Sequence, residues 1–200
     1  MIKVDKIKIS QNSKSFLIAE IGINHNGKVK NAIKLIDKAK EAGFDCVKFQ
    51  TYNTSLMLKS NTPLADYQKI NNKKKSNMKL LLEKYSLSYD DFIFLKQYCD
   101  NKKIIFMSTP FDLDSAIFLN KIGVKIFKIS SGDNDNIPLL SQIKKFKKPI
   151  ILSTGMSDAN KFDQVIKSLN IKRNRLAILH CVSNYPLYLN NSMLGSIQKL

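Results

Sequence analysis

The sequence contains few of the residues that hold small secreted proteins together. Only three cysteines occur among its 200 residues, at Cys46, Cys99 and Cys181. Their odd number and wide separation argue against a disulfide framework and against a cysteine metal site. The first residues also lack the apolar stretch of a signal peptide. We therefore expect a cytoplasmic location, where thiols stay reduced.

Long apolar runs and arginine are equally scarce. No apolar run reaches the roughly 18 residues that a membrane-spanning helix needs, so we expect no membrane partner. The formal net charge of +17 suggests nucleic-acid binding, but only two of the 33 basic residues are arginine. Arginine is the residue that reads base edges and stacks on bases, and the lysines, including the run Lys73–Lys75, are spread along the chain. We expect no nucleic-acid partner, and a field that attracts small anions.

Short apolar runs alternate regularly with amphipathic segments. The runs are apolar on both faces, which is typical of parallel strands covered on both sides of the sheet. The predicted strands are 16–21, 46–51, 104–108, 125–130, 150–153 and 176–182. The predicted helices are 29–42, 89–101, 113–121, 137–147 and 158–169, with a last helix from about Asn191. Capping residues precede four of these helices, at Ser88, Asp112, Asn136 and Ser157.

Strict alternation of strand and helix predicts a parallel α/β architecture. A doubly wound sheet is one possibility. A TIM-type (β/α)8 barrel is favoured because polar residues follow the C-terminal end of every strand, where barrel enzymes build their active sites. We predict an N-terminal β-hairpin over 1–15 and an incomplete barrel domain over 16–200. The six predicted units stop two short of closure, so we expect either a fragment of a longer chain or a truncated protein.

Two lysines interrupt the apolar strands. Lys48 lies in Cys46–Gln50 and Lys128 lies in Ile126–Ser130. Lysine is rarely buried without a partner, because an unpaired buried charge costs several kcal/mol. The sequence therefore predicts that an anion meets both ammonium groups, with snorkelling of Lys48 into solvent as the alternative.

Other polar residues at strand ends suit the same ligand. Glu20 precedes a loop with two glycines, although a solvated carboxylate would give the same pattern, and His25 is expected to orient that loop. Gln50 shares the strand face of Lys48. Hydroxyl residues precede two helix starts, at 108–109 and 153–154, and a helix start with free N–H groups is a ready anion site. Together these features favour phosphate binding.

Six collinear motifs between residue 16 and about residue 200 resemble those of the sialic acid synthases. This family comprises the phosphoenolpyruvate-condensing N-acetylneuraminate, legionaminate and pseudaminate synthases, together with related spore-coat polysaccharide synthases. The motifs are Ala19-Glu20-Ile21-Gly22 with Asn24-His25-Asn26-Gly27, Val47-Lys48-Phe49-Gln50-Thr51, Ser108-Thr109-Pro110-Phe111-Asp112, Lys128-Ile129 with Ser131-Gly132, Leu152-Ser153-Thr154-Gly155-Met156, and His180-Cys181 with Tyr185-Pro186.

The resemblance implies a transferase that joins phosphoenolpyruvate to an N-acetylmannosamine-type sugar, with release of phosphate by C–O cleavage. Glu20 would be the catalytic residue, stabilising the cationic centre or handling a proton. The implied phosphoenolpyruvate-binding residues are Lys48, Thr109, Lys128, Ser131, Ser153 and Ser183. The implied sugar-binding residues are Gln50, Asp133 and Tyr185.

The resemblance also implies groups beyond this chain. The family uses Mn²⁺ or Mg²⁺, but its two metal-binding histidines lie on later strands, so we expect no metal ligand among the present residues. The family's C-terminal antifreeze-like domain is also missing, and a full-length chain is expected to form a homodimer. Asp133 replaces the family's usual Glu, and Val182-Ser183 has one hydroxyl fewer than the family pattern.

Two alternatives stay open at this point. The chain could be a truncated, non-catalytic remnant that binds phosphoenolpyruvate weakly. It could instead be a pyruvate-type aldolase or lyase of the same barrel class, in which Lys128 forms a Schiff base.

Overall fold

The computed structural model describes residues 1–60, 62–64, 77–156 and 158–199. The lysine run Lys73–Lys75 and the predicted cap Ser157 lie outside the described residues. The chain divides into two compact units. The middle unit is Phe16–Val124, and the hairpin unit combines Met1–Ser15 with Lys125–Leu200. Each is described by itself.

The described strands and helices alternate along most of the chain. The strands are β1 (Ile2–Val4), β2 (Ile7–Ile9), β3 (Ile18–Gly22), β4 (Cys46–Thr51), β5 (Ile105–Pro110), β6 (Phe127–Ile129), β7 (Ile150–Ser153) and β8 (Leu176–Leu179). The helices are α1 (Val29–Glu41), α2 (Thr54–Met57), α3 (Met78–Tyr85), α4 (Tyr89–Lys102), α5 (Leu113–Lys121), α6 (Ile137–Lys145) and α7 (Ala159–Leu169).

The middle unit is built on a parallel sheet in the order β3-β4-β5. One face of the sheet carries an aromatic cluster, in which Phe49 stacks on Phe106 at 5.3 Å and meets Phe92 edge-on at 6.1 Å. All three rings are buried. Buried rings of this kind contribute much of the apolar burial that stabilises a small unit. The opposite face carries the polar side chains described below.

The helices of the middle unit begin where the sequence predicts. Ser88 and Asp91 form a full capping box at the start of α4, with each side chain accepting from the other residue's backbone N–H. Asp112 caps α5 by accepting from the backbone N–H of Ser115 at 2.7 Å. Each such cap satisfies N–H groups that the helix itself leaves without a partner. Helices α1 and α4 are joined through Asp37, which accepts from the Tyr98 hydroxyl at 2.9 Å.

The hairpin unit contains a second parallel sheet, in the order β6-β7-β8, and the antiparallel pair β1-β2. Val4 of the hairpin is fully buried and Ile2 nearly so. Asn136 caps α6 through the backbone N–H of Leu139, as the sequence predicts. Short 3-10 turns occupy Ser131–Asp133, Arg173–Arg175, Leu189–Asn191 and Leu194–Lys199.

The α/β class with parallel sheets is confirmed. Strands β4 and β7 have the predicted bounds, and the other strands of the two parallel sheets differ from prediction by a few residues at one or both ends. Helices α2 and α3 were not predicted. The helix predicted from Asn191 is wrong, because that segment forms short 3-10 turns in which Leu189, Leu194 and Ile197 remain exposed. Within the described residues, no helix is long and apolar enough to cross a bilayer.

Candidate active site

The two strand lysines are buried, as predicted. Lys48 is 6% exposed and Lys128 is 8% exposed. Lys48 lies in β4 of the middle unit and Lys128 lies in β6 of the hairpin unit. The Lys48 side chain does not extend into solvent, so the snorkelling alternative is excluded.

Four predicted site residues share one face of the middle sheet. Strand register places Glu20 beside Lys48, and Gln50 beside Thr109. Neighbours at one level of a parallel sheet point to the same side, and residues two apart on a strand share a face. Glu20, Lys48, Gln50 and Thr109 therefore form one polar group near the C-terminal ends of three strands, which we call the Lys48 cluster.

The ammonium of Lys48 forms an ion pair with Glu20, with 2.5 Å between Nζ and Oε2. The side chain of Glu20 is 62% exposed, whereas that of Lys48 is 7% exposed. The sequence predicted an anionic partner for Lys48, and in this structure the protein's own carboxylate supplies it. Because Glu20 is solvated, it can move away from Lys48 at little desolvation cost when a ligand anion enters.

Only one of the two hydroxyls predicted at the end of β5 belongs to the Lys48 cluster. Thr109 lies on its face, but Ser108 points to the other side of the sheet. There Ser108 Oγ lies 2.7 Å from the hydroxyl oxygen of Thr51, and both residues are fully buried. Strand pleating separates the two hydroxyls, so Ser108 is a structural residue that links β4 to β5.

The predicted anion site at the start of α5 is wrong. The carboxylate of Asp112 already occupies this helix N-terminus, where it accepts from the backbone N–H and the hydroxyl of Ser115 at 2.7 and 2.8 Å. It also accepts from the backbone N–H of Asn53 at 2.8 Å. A second anion at this position would meet the negative charge of Asp112, which already accepts from the N–H groups of Ser115 and Asn53.

The loop after β3 is organised by His25, as the sequence predicts. The imidazole is buried, and its Nδ1 accepts a hydrogen bond from the backbone N–H of Gly27 at 3.1 Å. Nδ1 can accept only when it carries no proton, so this arrangement requires neutral imidazole. Burial accordingly lowers the pKa of His25 below its usual value of 6.5.

This lowered pKa predicts acid sensitivity of the folded state. The unfolded chain binds the proton with a pKa of about 6.5, so it takes up more protons than the folded chain below that pH. Stability is therefore present above about pH 6.5 and falls as the pH drops toward the lower folded pKa. Urea unfolding at pH values from about 7.5 to about 5 measures this loss. His25→Gln should reduce the slope, and an unchanged slope in this variant would assign the loss to other groups.

Lys128 and Ser153 share one face of the sheet in the hairpin unit. Lys128 lies beside Ile151 in the register, and Ser153 follows Ile151 by two residues. The Lys128 ammonium donates to the backbone carbonyl of Ile129 at 2.8 Å. Ser153 is 6% exposed, and its Oγ accepts from the thiol of Cys181 at 3.3 Å.

The remaining predicted residues of this unit lie on loops. Ser131 begins a 3-10 turn, and Asp133 accepts from the side-chain amide of Asn136 at 3.3 Å. Burial raises the pKa of Asp133 above its ordinary value, an effect that the hydrogen bond from Asn136 opposes. Ser183 is exposed, and Tyr185 is 71% exposed.

Three residues of this unit were not predicted as positioning groups. The amide of Asn134 donates to the backbone carbonyl of Ser153 at 2.8 Å. The hydroxyl of Thr154 donates to the Leu179 carbonyl at 3.0 Å and accepts from the backbone N–H of Cys181 at 3.3 Å. Gly155 allows close approach, because a Cβ there would lie 2.7 Å from Ser183 Oγ. The sequence pattern that could have indicated these roles was the pair Thr154-Gly155 directly after strand β7.

The hairpin unit also contains two concave regions. A cavity of about 340 Å³ is lined by Ser131, Asn134, Asp158 and Phe162, among others. A more open groove of about 1080 Å³ runs along α7 and β8 and is lined by none of the predicted site residues. The smaller cavity is the better ligand candidate, since it includes Ser131 and the ends of two loops that follow strands.

The described residues do not fit the predicted Mn²⁺ or Mg²⁺. Such a site requires several oxygen or nitrogen ligands that converge. Among residues 1–60, 62–64, 77–156 and 158–199, no three His, Cys, Asp or Glu side chains lie close enough to hold a metal ion.

Comparison with known proteins identifies the family. The model of the NeuB family matches residues 35–200. The chain belongs to the NeuB family.

Two relatives of this NeuB-family chain are N,N'-diacetyllegionaminic acid synthases. The N,N'-diacetyllegionaminic acid synthase of Campylobacter jejuni is 38% identical over 193 residues, covering 94% of this chain and 57% of that protein. The synthase of the same name from Legionella pneumophila is 38% identical over 204 residues, covering 99% of this chain and 57% of that protein. This NeuB-family chain thus spans little more than half the length of these relatives.

A solved structure resembles the NeuB-family chain over almost its whole length. The N-acetylneuraminic acid (sialic acid) synthetase of Leptospira borgpetersenii serovar Hardjo-bovis, in complex with citrate, superposes with a TM-score of 0.85 at 32% identity. The match covers 99% of this chain and 65% of that one.

Proposed function

We propose that this chain is part of an enzyme that condenses phosphoenolpyruvate with an N-acetylmannosamine-type sugar. The product is a nonulosonic acid, a nine-carbon 2-keto acid used in surface polysaccharides. The names of the relatives support this class of product, and the citrate complex of the Leptospira enzyme shows that a relative accepts a small polyanion. The chain spans 57% of each legionaminic acid synthase, so the activity is proposed for the whole enzyme.

The Lys48 cluster is the observation that carries the proposal. A buried ammonium, a solvated carboxylate, an amide and a hydroxyl lie on one sheet face near the C-terminal strand ends. This set suits a substrate that is anionic at one end and passes through a cationic centre. Lys48 would bind the carboxylate or phosphate of phosphoenolpyruvate, and the Thr109 hydroxyl would donate to it.

Glu20 would act on the charge that develops during the reaction. Carbon 3 of the enol forms a bond to the aldehyde carbon of the sugar, and an oxocarbenium-like centre forms at carbon 2. Water adds at carbon 2, and phosphate departs with the bridging oxygen as the C–O bond breaks. A carboxylate that separates from Lys48 is available to stabilise the cation or to accept the proton of the attacking water.

The remaining roles rest on the motifs. Lys128, Ser131, Ser153 and Ser183 are proposed to bind phosphoenolpyruvate, with the buried Lys128 and Ser153 on one sheet face. Gln50, Asp133 and Tyr185 are proposed to bind sugar hydroxyls. Use of Mn²⁺ or Mg²⁺ remains a prediction from the family, and no step of this reaction is assigned to a metal.

We also propose that the full enzyme is a cytoplasmic homodimer with a (β/α)8 barrel. In each parallel sheet the strands follow one another in chain order, as the strands of a barrel do. The location is supported by the three cysteines, which are all free thiols.

A phosphate-release assay tests the reaction. The protein is incubated with phosphoenolpyruvate, Mn²⁺ and N-acetylmannosamine or its 6-deoxy diamino relatives, with the bridging oxygen of phosphoenolpyruvate labelled with ¹⁸O. We expect sugar-dependent phosphate that carries the label. Unlabelled phosphate would contradict C–O cleavage. A Schiff base between Lys128 and pyruvate, trapped as a secondary amine by borohydride reduction, would instead establish the aldolase alternative.

A further inference from the structure

Cations collect at the end of the hairpin unit where the parallel strands begin. The first residues of β6, β7 and β8, namely Phe127, Ile150 and Leu176, lie side by side in the register. Basic residues precede each of them, at Lys125, at Lys147–Lys148 and at Lys172–Arg175. Positively charged residues therefore lie next to the N-terminal end of every strand in this sheet.

The β-hairpin adds further positive charge beside the last of these segments. Lys3 and Lys8 are direct cross-strand partners, and both are exposed, whereas Ile2 and Val4 face the interior. Like charges in this position are destabilising. Strand β1 also contacts the Arg173–Arg175 turn. The hairpin and the turn thus form one surface.

This surface, which we call the basic face, consists of Lys3, Lys6, Lys8, Lys172, Arg173 and Arg175. Within the part of the chain that the structure describes, none of these six side chains forms an ion pair or a side-chain hydrogen bond. Asp5 is the only acidic residue in 1–15, and 164–200 contain none. The described residues therefore leave this charge without an acidic partner.

The arginine content singles out the same place. The sequence has two arginines among 33 basic residues, and both lie in the basic face. Lysine supplies almost all the other basic positions of the chain. The guanidinium group of arginine, unlike lysine, can donate two hydrogen bonds at once to the oxygens of one phosphate. The face therefore suits phosphate groups better than generic counter-ions.

We propose that the basic face docks on the phosphate headgroups of an anionic lipid bilayer. A nucleic acid is disfavoured, because residues 1–15 and 170–178 contain no aromatic side chain on which bases could stack. Met1 is 71% exposed next to the cations and offers an apolar side chain to the interface. Each basic residue near such a membrane contributes about 1 kcal/mol. The expectation of no membrane partner concerned spanning helices and is revised only for this surface contact.

This attachment leaves the candidate substrate residues of the unit accessible. The basic face lies where β6–β8 begin, and Ser153 lies at the other end of β7. The unit can therefore rest on a membrane with its strand ends turned away from it. The inference does not depend on the proposed reaction.

Vesicle co-sedimentation tests the proposal. The purified chain is mixed with vesicles of phosphatidylcholine alone or of phosphatidylcholine with phosphatidylglycerol. We expect binding only to the second kind, and loss of binding as salt is raised. The triple variant Lys3→Glu, Lys6→Glu, Lys8→Glu should bind at least about a hundredfold more weakly, since three contributions of about 1 kcal/mol are lost.

A matched variant separates the basic face from net charge. Lys28→Glu, Lys30→Glu, Lys34→Glu makes the same change in charge on exposed residues at the start of α1, in the middle unit. This control should retain vesicle binding, and Arg173→Lys, Arg175→Lys should weaken it several-fold without a change of charge. Equal losses in the two triple variants would overturn the proposal. So would binding to duplex DNA by a chain that does not sediment with either vesicle.

Discussion

Replacing Lys48 by methionine is expected to lower kcat/KM for phosphoenolpyruvate by about a hundred- to a thousandfold. The ammonium is the buried cation of the Lys48 cluster, and loss of one positioned charged donor typically has this effect. Methionine has nearly the same length and preserves the packing. Its partner Glu20 is 62% exposed and stays solvated when the pair is lost. Folding should therefore survive, since an apolar residue in place of a buried ion is often tolerated.

Two measurements make this expectation specific. Phosphate release reports turnover, and titration calorimetry with phosphoenolpyruvate reports binding even where turnover is slow. Lys30→Met is the control, because Lys30 is an exposed residue on α1 outside the cluster. If the Lys48→Met variant melts at the wild-type temperature and still binds phosphoenolpyruvate with wild-type affinity, Lys48 does not bind this substrate.

Replacing Gly27 by alanine is expected to destabilise the fold by about 3 kcal/mol. Gly27 has φ +68°, and a Cβ there would lie 2.7 Å from the backbone carbonyl oxygen of Lys84. The left-handed conformation alone costs an L-residue about 1–2 kcal/mol. The clash adds to it, because a backbone oxygen of α3 cannot move aside as a flexible side chain can. Any shift also strains the Gly27 N–H bond to His25.

The same substitution at Gly43 isolates the two contributions. Gly43 has φ +82° and nothing within 4 Å of an added Cβ. Gly43→Ala should therefore cost only the conformational part, about 1 kcal/mol. Urea unfolding measures both variants. Equal losses of unfolding free energy in the two variants would mean that the backbone at Lys84 moves aside to admit the added methyl group.

Much of the fold was predictable from the chain because local patterns and tertiary packing agree. Cys46–Thr51 and Ile150–Ser153 are apolar runs between strong helix signals, and both strands were placed correctly. The segment 191–199 was mispredicted as a helix for a physical reason. Its apolar residues Leu194 and Ile197 have helical spacing but remain exposed in the structure. Short isolated helices are unstable without a packed apolar face.

The strand faces of the candidate site residues were predictable from the sequence, but their hydrogen-bond and ion-pair partners were not. Strand pleating alone assigns Lys48 and Gln50 to one face. It does not reveal that the anion beside Lys48 is Glu20, because strand register depends on which strands pair. Likewise, Asp112 was a visible helix cap, but its bond to the backbone of Asn53 joins residues 59 apart in sequence. Contacts at such separations are set by the tertiary fold.

The hydroxyl bridge between Thr51 and Ser108 has a consequence for how this protein can diversify. It joins β4 to β5 on the sheet face opposite to the Lys48 cluster. Gln50 and Thr109 are the sequence neighbours of Thr51 and Ser108, and their side chains lie on the cluster's face. This bond between the two strands is thus independent of the side chains that are proposed to bind the two substrates. Under the proposed sugar-binding role of Gln50, substitutions at this position change acceptor preference while the pairing of the neighbouring strands stays intact.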